Sequence, residues 1–169
     1  MNLDDLFQKA LDGYIFELQY ELVIAGEIIP VKIKNFSQRS VGRIQLLNYE
    51  AELARGMAKG LHKQPINEKE WKSHINQIDD PEIKKQRKSR PPESRAHQLA
   101  ENLSMQETVM TIIPEKLLNI DDTPFLATEN QKDQFRQLIE NDTALYNQMF
   151  RIYLDIYAKE KEIREQAKN

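Results

Sequence analysis

The segment from Phe16 to Lys34 alternates apolar and polar residues on both sides of Ala25 and Gly26. If those two residues form a hairpin turn, the numbers of facing residues sum to 51 and the two faces separate by polarity. One face then carries the apolar pairs Leu22–Ile29, Tyr20–Val31 and Leu18–Ile33, and the other carries the polar pairs Gln19–Lys32 and Glu17–Lys34. An isolated hairpin is marginally stable and needs a cover. Because the rest of the chain has helical periodicity, we expect a mostly α-helical protein with a small antiparallel β-hairpin (α+β).

Composition narrows the class of protein. The chain has 169 residues, of which 40% are hydrophobic and 30% charged, and its formal net charge of −3 gives no general attraction to nucleic acid or membrane. Zero cysteines exclude disulfides, thiolate metal sites and cysteine nucleophiles. The start MNLDDLFQKAL is acidic and amphipathic, and no apolar run approaches about 18 residues. We therefore expect no membrane contact and a cytoplasmic protein.

Two helices are predicted to cover the hairpin. The first spans residues 3–11, and the second spans 41–61. Their apolar stripes are Leu3, Leu6, Phe7, Ala10 and Leu11 in the first helix, and Ile44, Leu47, Ala51, Ala54, Ala58 and Leu61 in the second. Gly42 and Gly56 each cost the second helix about 1 kcal/mol against alanine, so we expect tertiary packing, such as a close helix crossing, to offset the cost.

Capping residues place two further helices. Asn67 with Glu70 resembles a capping box, and it predicts a short helix carrying Trp71, Ile75 and Ile78 that ends near Pro81. Thr128 with Gln131 caps a helix that displays Phe135, Leu138 and Ile139. The last helix is the longest and begins near Asp142.

A basic segment separates two helical parts of the chain. Within residues 82–95, six basic residues against two acidic ones give +4, and Pro91 and Pro92 forbid a continuous helix. We therefore predict a helix/β-hairpin/helix domain at 1–81, a basic Pro-containing linker at 82–97, and a helical region with a long C-terminal helix at 98–169. The six basic residues are Lys84, Lys85, Arg87, Lys88, Arg90 and Arg95.

This basic segment has two interpretations. The simpler one is a solvated linker, because no aromatic residue is interleaved for base stacking. The functional one is a basic arm that contacts phosphates or an acidic protein surface. Nucleic acid is a possible partner on this second interpretation, although it is not the favoured one.

An aromatic stripe lies along the last helix at Tyr146, Phe150, Tyr153 and Tyr157. By default such a stripe belongs to the core. The alternative is a surface for a protein partner or for self-association, because tyrosine is enriched at interface centres.

Residues that could carry chemistry are scattered. His62, His74 and His97 lie in different segments without metal-type spacing. The pairs Asp79–Asp80 and Asp121–Asp122 could serve acid/base work, but adjacent carboxylates followed by proline are more typical of caps and turns. No phosphate-binding glycine motif or nucleophile elbow occurs. We therefore predict no enzyme, no catalytic, cofactor-binding or metal site, and no cofactor.

The segment Pro30 to Leu53, PVKIKNFSQRSVGRIQLLNYEAEL, leads from a short strand through a polar turn into a helix rich in isoleucine, leucine and glutamate. The segment Ile139 to Glu162 follows an Asn-Asp turn with a tyrosine-rich amphipathic helix. In both, the chain resembles bacteriophage tail assembly chaperones. The resemblance implies a non-enzymatic viral protein of the host cytoplasm that coats the tape measure protein or recruits tail tube subunits, often as an oligomer. It supplies no catalytic residues.

Together these features predict a non-enzymatic protein-binding or assembly factor, and the resemblance implies one like a phage tail assembly chaperone. The alternative is a regulatory nucleic-acid-associated protein that uses the basic segment. An enzyme with a site built from scattered acids ranks third.

Overall fold

The computed structural model describes residues 2–12, 15–34 and 41–166, and this part of the chain is mostly helical with one two-stranded antiparallel sheet. The strands are β1 (Glu17–Ile24) and β2 (Glu27–Lys34). The helices are α1 (Leu3–Asp12), α2 (Val41–Ala58), α3 (Glu68–Asn76), α4 (Pro81–Ser89), α5 (Arg95–Glu107), α6 (Ile113–Lys116), α7 (Glu129–Asn141) and α8 (Thr143–Gln166). The predicted fold class is confirmed. Within the described ranges, none of the helices combines the length and apolar character that crossing a membrane requires.

The hairpin has the register that the sequence predicts. Strand β1 pairs with β2 from Glu17 opposite Lys34 to Ile24 opposite Glu27, so that every facing pair sums to 51. The turn residues Ala25 and Gly26 have φ angles of 51° and 83°, and a two-residue hairpin turn of this kind requires positive φ at both positions. At Gly26 the positive φ angle has little steric cost, because glycine has no Cβ.

The chain forms two compact units that differ from the predicted domains. The first unit combines Met1–Ile44 with Gln106–Asn169, and the second is Gln45–Met105. The predicted division at 81 and 98 followed local composition. The observed division depends instead on packing between distant segments, since the hairpin contacts the last helix of the chain.

In the first unit, α8 lies against β1. The Tyr20 hydroxyl donates to Asp155 Oδ2 at 3.2 Å, and the Val23 backbone exchanges two hydrogen bonds with the Gln148 side-chain amide at 2.8 and 3.1 Å. Burial and the charge of Asp155 raise the pKa of Tyr20, so the phenol stays protonated. The buried core of this unit is Phe16, Leu22, Val31, Ile33, Val109, Met110, Ile113, Leu117, Leu126, Phe135, Ile139, Leu145, Met149, Ile152, Tyr153 and Ile156.

The predicted cover of the hairpin by the first helix is wrong. On α1, Leu3, Leu6 and Phe7 remain 68%, 45% and 59% exposed. The physical reason is competition, because α8 supplies the contacts to β1. The sequence pattern correctly predicts that α1 is amphipathic, but not which helix covers the sheet.

The second unit brings α2 close to α5 at Gly56. A Cβ on Gly56 would lie 3.2 Å from the Ala96 Cβ, so glycine permits the close approach. The predicted apolar stripe of this helix is wrong: Leu47, Ala51, Ala54 and Ala58 are exposed, and the buried position is Gly56. The crossing turns the glycine side of α2 inward.

The remaining core of the second unit contains Trp71, Ile75 and Ile78, with Ile66 and Ile83 packed against it. The buried side-chain amide of Gln98, on α5, binds the backbone of Asn67, the residue that precedes α3. Gln98 Oε1 accepts from the Asn67 backbone N–H at 2.7 Å, and Gln98 Nε2 donates to the Asn67 carbonyl at 3.0 Å. Since both groups of the Gln98 amide are satisfied, its complete burial carries no unpaired polar atom.

Candidate protein-binding surfaces

Helix α1 is capped by its own side chains. The Asp5 backbone N–H donates to Asn2 Oδ1 at 2.8 Å, and the Asn2 backbone N–H donates to Asp5 Oδ2 at 3.2 Å. This reciprocal arrangement is a capping box with aspartate in place of glutamate. Asp4 and Asp5 in the first turn also suit the helix dipole. The result is a capped amphipathic helix whose apolar face, formed by Leu3, Leu6 and Phe7, faces solvent. We call this the α1 face.

The aromatic stripe of α8 forms a continuous ladder of rings. Neighbouring centroids are 6.3, 5.8 and 6.3 Å apart from Tyr146 through Phe150 and Tyr153 to Tyr157. Tyr153 is buried, Tyr146 and Phe150 are half-buried, and Tyr157 is 45% exposed. Burial raises the pKa of Tyr146. The ladder therefore joins the core at Tyr153 and reaches solvent at Tyr157. A partner-binding surface on these rings stays a prediction.

The basic segment contains regular structure where the sequence predicted a linker. Asp80 Oδ1 accepts from the backbone N–H groups of Glu82 and Ile83 at 2.9 and 3.0 Å, and Pro81 follows the cap, so α4 begins there. Pro91 comes after the end of α4, as its ring requires. The predicted boundary at 82–97 therefore holds a capped helix and the first turn of α5.

The six basic residues divide into two groups. Arg87 forms a salt bridge with Glu101 at 2.8 Å, and Arg95 forms one with Glu70 at 2.7 Å. The other four form no salt bridge with any described residue; they are Lys84, Lys85, Lys88 and Arg90. The arginines thus stabilise the second unit, and the four remaining cations are available to a ligand.

A groove of about 500 Å³ opens beside α3 in the second unit. We call it the Trp71 groove. It is lined by Ile66, Glu68, Trp71, Lys72, Ile75, Asn76, Lys88 and Pro91. Lys72 and Lys88 are exposed on its rim and pair with no described carboxylate. No local sequence pattern predicts this groove, because nothing local shows that Pro91 returns to α3.

The histidines occupy separate surroundings. His74 stacks on Trp71 with centroids 6.1 Å apart, and burial, followed by the charge of Arg87, lowers its pKa. His97 Nδ1 lies 2.8 Å from Ser94 Oγ. His62 is exposed on the short 3₁₀ turn Leu61–Lys63. In the described part of the chain, no three histidine or carboxylate side chains come together as metal ligands.

The second carboxylate pair ties a loop to the hairpin. Asp122 accepts from Lys32 Nζ at 2.8 Å and from Lys34 Nζ at 2.5 Å, and both lysines also approach Glu17. These hydrogen bonds raise the pKa of Lys32 and lower that of Asp122. Lys32 is buried, and the Leu118 backbone pairs with its strand through hydrogen bonds of 2.8 and 2.9 Å. The cluster balances its charges internally, which is typical of a structural role.

Comparison of the chain with protein-family models, curated protein sequences and solved structures finds no match. The resemblance to tail assembly chaperones therefore stays a prediction. Within the segment 30–53, β2 ends at Lys34 and α2 begins at Val41, while residues 35–40 lie outside the described residues.

Proposed function

We propose that this chain is a non-enzymatic protein-binding factor that acts in assembly, and that it binds a partner protein through the α1 face. The observation that carries the proposal is the exposure of Leu3, Leu6 and Phe7 on a helix with a complete cap. An isolated helix of ten residues is marginal in water. A partner groove that covers the apolar side stabilises it, as in helix-in-groove recognition.

The specific form of this proposal follows the resemblance. A phage tail assembly chaperone binds tape measure or tail tube protein, and α1 then supplies the apolar anchors for that contact. Self-association is the second form, in which another copy covers the same face. Both forms require that the α1 face is buried in the assembled state.

A regulatory nucleic-acid-associated protein is the second candidate function. One observation favours it: Lys84, Lys85, Lys88 and Arg90 form no salt bridge with described residues and lie close together in sequence. Such a binder would lose affinity steeply with salt, because contacts with phosphates release counterions.

The test of the α1 face replaces Leu6 and Phe7 together by serine. We expect the variant to remain folded, since Leu6 and Phe7 are 45% and 59% exposed. Its affinity for the partner should fall at least about thirtyfold, as for the loss of one or two interface hot spots. The measurement is affinity capture from the native host with quantitative mass spectrometry, followed by titration of each purified protein that the variant fails to retain.

The matched control replaces Gln8 and Lys9 by serine. This pair lies away from the α1 face and changes helix propensity similarly. We expect it to retain the same proteins as the wild type. The proposal is contradicted if the Leu6/Phe7 variant captures the same proteins with the same affinity as the control.

A further inference from the structure

The Trp71 groove combines an apolar floor with a charged rim that carries two lysines, Lys72 and Lys88, and one glutamate, Glu68. Its floor contains Ile66, Trp71 and Ile75, which belong to the main apolar cluster of the second unit. The volume of about 500 Å³ falls within the range of small-ligand and peptide pockets. Lys72 and Lys88 reach the rim from α3 and α4 and meet no described carboxylate. Such a site favours an apolar group flanked by negative charge.

We propose that the Trp71 groove binds an acidic peptide segment of a partner protein. An aliphatic or aromatic side chain of the peptide packs on Ile66 and Pro91, which are the more exposed apolar residues of the lining, and peptide carboxylates pair with Lys72 and Lys88. The apolar anchor supplies most of the affinity, while the lysines select acidic sequences and orient the peptide. This inference does not depend on the α1 face, which is a separate surface.

Three observations favour a peptide over nucleic acid. Trp71 is only 5% exposed and stacks on His74, so it offers little ring face to a base. Arg87 and Arg95 are held by Glu101 and Glu70 and are not available for bidentate phosphate contacts.

The third observation is charge. The second unit, residues 45–105, contains eleven basic and nine acidic residues, a net charge of +2, which is modest for a phosphate-backbone binder. Glu68 also lines the groove, so the acidic residues of the peptide lie on the side that carries Lys72 and Lys88.

The experiment selects short random peptides from a display library on the full-length protein and measures the enriched peptides by fluorescence anisotropy. We expect enrichment of sequences with aspartate or glutamate on both sides of a large apolar residue. Affinity should fall by about tenfold or more in Lys72→Glu/Lys88→Glu, which corresponds to the loss of two charge-assisted contacts.

The matched control is Lys84→Glu/Lys85→Glu, which makes the same charge change in the same unit outside the groove lining. It should weaken binding by less than about threefold, through general electrostatics alone. The neutral variant Lys72→Gln/Lys88→Gln provides the same comparison if the charge reversal lowers stability, which thermal unfolding followed by circular dichroism will show.

Three results overturn the proposal. One is enrichment without acidic residues, or no enrichment at all. Another is an equal loss of affinity in both double variants, which would place binding outside the groove. The third is a labelled single-stranded DNA that binds more tightly than the selected peptides and displaces them. None of these results involves Leu6 or Phe7. They therefore leave the proposed function of the α1 face to its own test.

Discussion

Replacement of Ile33 by aspartate is expected to unfold the unit that contains the hairpin. Ile33 is completely buried opposite Leu18, so the substitution places a carboxylate among apolar side chains without a partner. The expected loss exceeds about 4 kcal/mol, a large share of the roughly 5–15 kcal/mol that stabilises a typical domain. Urea denaturation followed by circular dichroism measures it, with amide hydrogen exchange in 16–34 and 145–156 as the local readout.

The matched control is the same substitution at Ile28, on the same strand. Ile28 pairs with Val23, and both lie on the face of the sheet opposite to that of Ile33. Ile28 is 64% exposed. We expect a change within about 0.5 kcal/mol, as is usual for surface positions. A one-residue slip of register would exchange the two faces. Equal destabilisation by both substitutions, or a larger effect at Ile28, would contradict the register.

Replacement of Trp71 by alanine is expected to cost the second unit about 3–5 kcal/mol. Trp71 is the only tryptophan of the chain, and it packs with Ile75 and Ile78 beneath Ile66. The cavity left behind cannot close fully because α3 is fixed at its start by the Gln98 amide. Circular dichroism with urea, and hydrogen exchange of residues 67–78, measure the loss.

Lys69→Ala on the same helix is the control for this second substitution, since Lys69 is exposed. We expect little change, because alanine is the better helix former. Trp71→Phe should lie between the two variants, as it keeps part of the buried ring. A loss below about 1 kcal/mol for Trp71→Ala would mean that the cluster around Trp71 does not hold the second unit together.

The sequence was sufficient to predict structure wherever that structure depends on residues close together in the chain. The hairpin register follows from alternation around Gly26, and the Glu17–Lys34 pair lies at 3.9 Å as the register requires. The Thr128 cap forms as predicted, with its hydroxyl accepting from the Gln131 backbone N–H at 3.2 Å. The Asn67 side chain likewise accepts from the Glu70 backbone at 3.1 Å. In each case the groups involved are close in sequence: each cap lies within one helical turn, and the register lies within a single hairpin.

The predictions that failed concern which segments pack together. An amphipathic pattern shows that α1 has an apolar side, but the choice between α1 and α8 as the neighbour of β1 depends on contacts such as Tyr20 with Asp155. The basic composition of residues 82–97 favours a linker, whereas the Asp80 cap begins a helix there. The pairs Arg87–Glu101 and Arg95–Glu70 span 14 and 25 residues, so no local pattern shows them. The Trp71 groove was missed for the same reason.

The most direct test of the central claim is a photo-crosslinking amino acid placed at Phe7 in the native host. Benzoylphenylalanine keeps an aromatic side chain on the α1 face and reacts with whatever covers it. Gln8, on the opposite side of the helix, is the control position. We predict a defined protein adduct, identified by mass spectrometry, at Phe7 and not at Gln8. Absence of an adduct at Phe7, or equal labelling from both positions, would contradict a protein-binding role for the α1 face.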